Sequence, residues 1–457
     1  MSFTRFDRIV LAVLTMLATL ITAVILYGDQ LALEVVDFVP APEADHISTR
    51  ATIQVTLSEA LVDVPETAVT LDPPVPGTVS IQGTQLLFRP DVPLAANSTY
   101  RVTVAAEIVG ENGHQLEDPF SWQFQTGQPR VVYISWDEEE ADQIYLADVS
   151  GQSVTTQQLT NTDADVLDFT VRPDGSQIAY AILRDGGAAD IWLINSDGSQ
   201  NRELLACPDA ACTQSRWLPG GQRLIYERRT IPTPGAPPGN PRLWWLDVTT
   251  GETVPVFQDS QMLGLYPRVS DDGQWLSFVS PIDQGIQLFN LDDGSGLLIP
   301  NQMGSPAVWR PQSDSLLVTN INTSDASWSV ELTSVDLASE AITVLSQPMA
   351  GEESVDDSSP AWSPDGAWIA FGRKLPRTPM GRQIWLMQKD GSQAIAITNE
   401  PTVHHGEISW SPDGRFLLYQ QYNLEELYAK PAIWLVEITT GERTEIASPG
   451  TLPAWLP

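Results

Sequence analysis

Basic residues are scarce in this chain. Lys and Arg number 24 against 58 Asp and Glu, a formal net charge of −34. A polyanion of that size repels nucleic acid, which argues against a DNA or RNA partner. Histidine is scarcer, with four residues, and cysteine is limited to Cys207 and Cys212 in "CPDAAC". Two thiols without a nearby His do not make a metal site. In an exported chain they are expected to close a local disulfide, with free thiols the alternative in an anaerobic host. Catalytic signatures are also missing. There is no G-x-S-x-G elbow, no HExxH, no Walker loop, no GxGxxG and no complete EF-hand. "DADVLD" (163–168) alternates carboxylates but lacks the loop glycine and the terminal Glu. No catalytic residue, metal or cofactor is therefore expected.

One uncharged apolar run stands out, Ile9–Tyr27. As a helix it would be roughly 28 Å long, close to the hydrocarbon thickness of a bilayer. Arg5 and Arg8 precede it, and Asp29, Glu34 and Asp37 follow. The charge bias predicts a single-pass anchor with residues 1–8 in the cytoplasm, 28–36 as linker and the bulk of the chain outside. A cleaved signal peptide is the alternative.

Residues 37–127 show period-2 apolar runs ("ATIQVTL", "STYRVTVAAEI", "FSWQFQTG") broken by Gly, Pro and Asn. This pattern predicts antiparallel strands, and about 90 residues of it suits a β-sandwich. Pro90, Leu94, Thr99 and Tyr100, then Glu111-Asn112-Gly113, then Phe124-Gln125-Thr126 resemble the bacterial Ig-like domain of the SbsA type. The resemblance implies a spacer or adhesion module.

Residues 128–457 are built on one recurring unit. A turn marker falls at Pro173, Pro219, Asp271, Pro311, Pro364 and Pro412, every 40–53 residues. Such a period means a propeller or solenoid. "SPDG" has the preferences of a type I turn, with Ser first, Pro second and Gly last. A strand ending in Trp precedes it at Trp217, Trp309, Trp362 and Trp410; "QIAYAI", "WIAFGR" or "FLLYQQ" follows. Third strands such as "IWLMQKDG" number seven, yet first strands number six before "LPAWLP". We therefore expect the final strand, with Trp455, to complete blade 1 and close a seven-bladed ring; six blades is the alternative. The fold class is all-β: an N-terminal helix, an Ig-like sandwich, then a propeller.

The phrases "AWSPDGAWIAFGR" and "IWLMQKDG" resemble TolB-type propeller repeats, which also occur in prolyl oligopeptidase-like enzymes. The resemblance implies a protein-binding or scaffolding role in the bacterial envelope. The rival is an envelope enzyme, a propeller lyase or glycan hydrolase, for which His404, His405 and Glu407 are the sequence candidate.

Turns of the "PDG" and "DGS" kind lie on one face of such a disc, and long varied loops lie on the other. The loops are 228–242, 320–329, 347–359, 373–382, 399–407 and 421–431. Loops on a rigid scaffold are where binding usually sits. They hold Arg228, Arg229, Arg242, Arg373, Lys374, Arg377, Arg382 and Lys430 beside Trp328, Tyr422 and Tyr428, with His404 and His405. Arg with aromatics is the composition of binding hot spots. This face is expected to bind an envelope protein, a peptide or an acidic glycan. The acidic stretches 136–142 and 351–357 lie on the same face and are expected to neutralise part of its charge.

Overall fold

A computed structural model describes residues 13–19, 22, 32–45, 47–136, 140–149, 153–233, 235–323, 328–348, 354–374 and 381–457. It corrects the expected anchor. Of the run Ile9–Tyr27, residues 13–19 and 22 are described, as helix, and the others lie outside the described residues. No described helix is long and apolar enough to cross a membrane. The single-pass anchor, and the membrane localisation that rested on it, are withdrawn.

The chain divides into two compact units. The first comprises 1–47, 51–91 and 99–125. Its larger sheet orders Val35–Val39, Ile53–Leu57, Gln85–Pro90 and Gly77–Gln82 side by side. The strand Val35–Val39 thus takes in Val35 and Val36, read as linker. A three-stranded sheet holds Val69–Asp72, Thr99–Val104 and Phe120–Gln125. Alternation puts Ile53, Val55, Leu86 and Phe88 of one sheet, and Tyr100, Val102 and Phe124 of the other, in the core. The indole N–H of Trp122 donates to the Pro40 carbonyl at 2.8 Å.

The second unit comprises 48–50, 92–98 and 126–457, and holds seven four-stranded blades. A bridge between Ala189 and Ala211 links the sheets of blades 2 and 3. The inner strands are Val166–Val171, Ala210–Trp217, Leu265–Val269, Val308–Trp309, Asp357–Trp362 and Val403–Trp410 for blades 2 to 7. Blade 1 takes its inner strand from Thr451–Leu456, which pairs antiparallel with Arg130–Ser135. Each inner strand packs on the next, round to Thr451–Leu456 against Val166–Val171, so the ring is closed.

Sequence chemistry explains the closure. The second strand of each blade carries a buried residue at the same register: Tyr133, Tyr180, Tyr226, Phe278, Val318, Phe371 and Tyr419. Indole groups then join neighbouring inner strands. Trp217 donates to the Thr170 carbonyl (3.2 Å), Trp410 to Ala361 (3.1 Å) and Trp455 to Ser409 (3.5 Å). The turns are tied as their residues predict. Ser363 Oγ donates to Asp365 (2.5 Å) and accepts the Trp368 N–H (2.9 Å), and Ser411 repeats this with Asp413 and Phe416. Glycine is required at Gly366, where φ is +62° and a Cβ would lie 2.9 Å from Arg310 Nε. That nitrogen donates to the Gly366 carbonyl from the preceding blade.

Candidate functional site on the loop face

Second-to-third and fourth-to-first connections leave the blades on the face opposite the Ser-Pro-Asp-Gly turns. The structure separates the residues expected there into three groups.

The first group is spent inside the protein. Arg373 is 3% exposed. Its Nε and terminal nitrogen each donate to Asp357 at 2.7 Å, and its guanidinium stacks between Phe371 and Trp385 at 5.2 and 5.1 Å. His405 is fully buried. Its Nδ1 lies 2.9 Å from the Arg382 carbonyl, and its Nε2 lies 3.4 Å from Glu400, which pairs with Arg443. Neither residue can meet a partner, and the enclosure of His405 removes one of the three residues, with His404 and Glu407, on which the enzyme alternative rested.

The second group is at the surface but neutralised. Arg228 pairs with Asp209 at 2.7 Å and stacks on Trp244. It also lies 3.9–4.0 Å from the sulfurs of the Cys207–Cys212 disulfide. Arg229 pairs with Glu227 (3.3 Å) and Arg382 with Asp356 (2.7 Å). Arg242 donates to the Phe257 carbonyl at 3.2 Å. Asp356 and Asp357 thus absorb two of the cations of the neighbouring loop. Tyr422 accepts from Gln420, and His404 is half-buried near it, at 6.3 Å between rings. Lys374 is partly exposed and Lys430 exposed, while Arg377 and the acidic residues 137–139 and 351–353 lie outside the described residues.

The third group is exposed and apolar. Trp328 is 62% exposed and Tyr428 is 93% exposed. Sequence reasoning missed Ile282 and Leu427, at 60% and 80%, both also in second-to-third connections. None of the exposed large apolar residues of the propeller lies in a described turn of the opposite face. A single apolar residue in a polar loop carries no periodic signal, so only the assembled face shows the grouping.

Burial also tunes His405. Removal from water pushes its imidazole pKa below the ordinary 6.5, although Glu400 pulls the other way. The unfolded chain then binds a proton near pH 6.5 that the folded protein takes up only at lower pH. Stability is full above about pH 6.5 and falls as pH drops through that value. We expect His405→Gln to narrow the gap in Tm between pH 7.5 and pH 5.5; an unchanged gap would contradict this account.

Residues 29–126 match the bacterial Ig-like domain family. No curated protein matches the chain. Among solved structures, a prolyl endopeptidase is similar at 14% identity and a TM-score of 0.51, over 70% of this chain and 49% of that one. TolB from Acinetobacter baumannii is 14% identical over 73% of this chain and 82% of its own, with a TM-score of 0.41. The β-propeller domain of the Trilobed protease from Pyrococcus furiosus is 15% identical over 62% and 85%, with a TM-score of 0.46. These likenesses concern the fold. The chain carries a bacterial Ig-like domain followed by a seven-bladed β-propeller.

Proposed function

We propose that this protein is a non-catalytic, extracytoplasmic binding module whose loop face takes a protein or peptide of the bacterial envelope. The observation that carries this reading is the exposure of Ile282, Trp328, Leu427 and Tyr428 on one face of a rigid disc. Contiguous exposed apolar patches mark interaction sites, and aromatic anchors dominate binding energy. The charges around them are mostly paired, which favours an apolar protein surface over an acidic glycan. The Ig-like domain and the disulfide both fit an oxidising compartment outside the cytoplasm.

The test is retention of solubilised host envelope proteins on the immobilised chain, compared with a Trp328→Ser, Leu427→Ser, Tyr428→Ser variant. A partner held by the native chain and reduced about tenfold or more by the variant supports the reading. Equal retention by both would place the site elsewhere.

A further inference from the structure

The inner strands carry a second cluster, inside the ring. Arg216, in blade 3, sits opposite Ile225 of the second strand; Arg268, in blade 4, sits opposite Ser277. These are equivalent positions in adjacent blades. The same register holds Thr170, Val308, Ala361, Ser409 and Ala454 in the other five. Two long cations therefore stand side by side, facing small or uncharged residues around the rest of the ring.

Both side chains face the channel. Arg216 and Arg268 keep partial exposure while the preceding Ser215 and Pro267 are buried. An inner strand has a blade on either side, so exposure there is exposure to the channel. Each guanidinium folds back in the same way, donating once to its own preceding carbonyl, at 2.7 Å to Ser215 and 2.9 Å to Pro267. Among the described residues, no carboxylate lies within ion-pair distance of either. The remaining N–H groups of two planar forks are uncommitted.

The surrounding acids are arranged differently. Asp168 and Glu227 lie buried in the wall, their oxygens accepting the backbone N–H groups of Gln214 (2.8 Å) and Tyr266 (2.7 Å) of the next blade. Glu407 is exposed at the inner-strand bulge of blade 7, with φ of +48°. Burial holds both arginines below their ordinary pKa, Arg268 down to about 9, where the charge of Arg216 adds to the effect; Glu407 and Glu227 oppose it at Arg268, and Asp168, Glu227 and Glu407 oppose it at Arg216. Two cations crowded together and withdrawn from water, with no carboxylate in direct contact, are a cost that an anion would relieve.

We propose that Arg216 and Arg268 form a binding site within the propeller channel for a carboxylate group of a ligand. Guanidinium forks match the planar geometry of carboxylates. This site does not depend on the loop-face reading.

The test uses calorimetric titration of the full chain with N-acetylglycine, its amide and inorganic phosphate. N-acetylglycine is expected to bind, the amide not at all and phosphate more weakly. Arg216→Gln and Arg268→Gln should each weaken binding about tenfold or more. Arg268→Gln should also raise the Tm of the free protein, because it removes the repulsion. Equal binding of acid and amide, undiminished binding in both arginine variants, or tighter binding of phosphate than of N-acetylglycine by the native chain would each overturn the proposal.

Discussion

Asp357→Ala is expected to destabilise the propeller by about 3–5 kcal/mol and to lower Tm by about 5–6 °C. Asp357 is fully buried and receives both forks of Arg373 at 2.7 Å. It also accepts the Ser346 hydroxyl at 2.7 Å, and Ser346 in turn accepts the Leu332 N–H of blade 5. Removing the carboxylate strands a buried guanidinium between Phe371 and Trp385 without its acceptor. The paired change Asp357→Leu with Arg373→Met should recover most of the loss, since buried ion pairs replaced by apolar groups are often neutral. Thermal denaturation followed by circular dichroism distinguishes the cases. A single variant that melts with the native protein would show that the pair is not closed in solution.

The same pair shows where the sequence was legible and where it was not. Repeats, turns and strand count could be read because they rest on local rules: period-2 burial, Ser-Pro-Asp-Gly chemistry and the 40–53-residue spacing. Arg373 could not, because it stands in a strand end that looks polar, and its partner Asp357 lies opposite it at the start of the blade's inner strand, 16 residues away. His405 misled for the same reason: Val403–Trp410 begins earlier than the final Trp pattern shows, and draws both histidines into the sheet. The arginines of the channel left a faint trace. Arg216 and Arg268 fall just before the last residue of their inner strands, where other blades place small side chains. The apolar run Ile9–Tyr27 was overread from composition alone, as length and hydropathy do not secure a spanning helix.

Deleting residues 450–457 is expected to have the largest effect on this chain. The strand Thr451–Leu456 supplies the ladder to Arg130–Ile134, the Trp455 indole bond to Ser409 and the buried side chain of Leu456. Thr451 further donates to Gln420 of blade 7 at 3.1 Å. Lost burial and hydrogen bonding together amount to roughly 5–10 kcal/mol, comparable with the whole stability of a domain. The deletion would leave the Arg130–Ser135 strand as a bare edge on the channel side, prone to pairing between molecules.

The closed ring is the central claim, because both the loop face and the channel exist only if it holds. The most direct measurement is thermal unfolding of the chain truncated after Pro449, with and without a synthetic peptide of residues 450–457. The account predicts loss of the cooperative transition in the truncated chain and its return when the peptide is added in excess. A truncated chain that melts within about 2 °C of the full-length protein, indifferent to the peptide, would contradict closure by this strand.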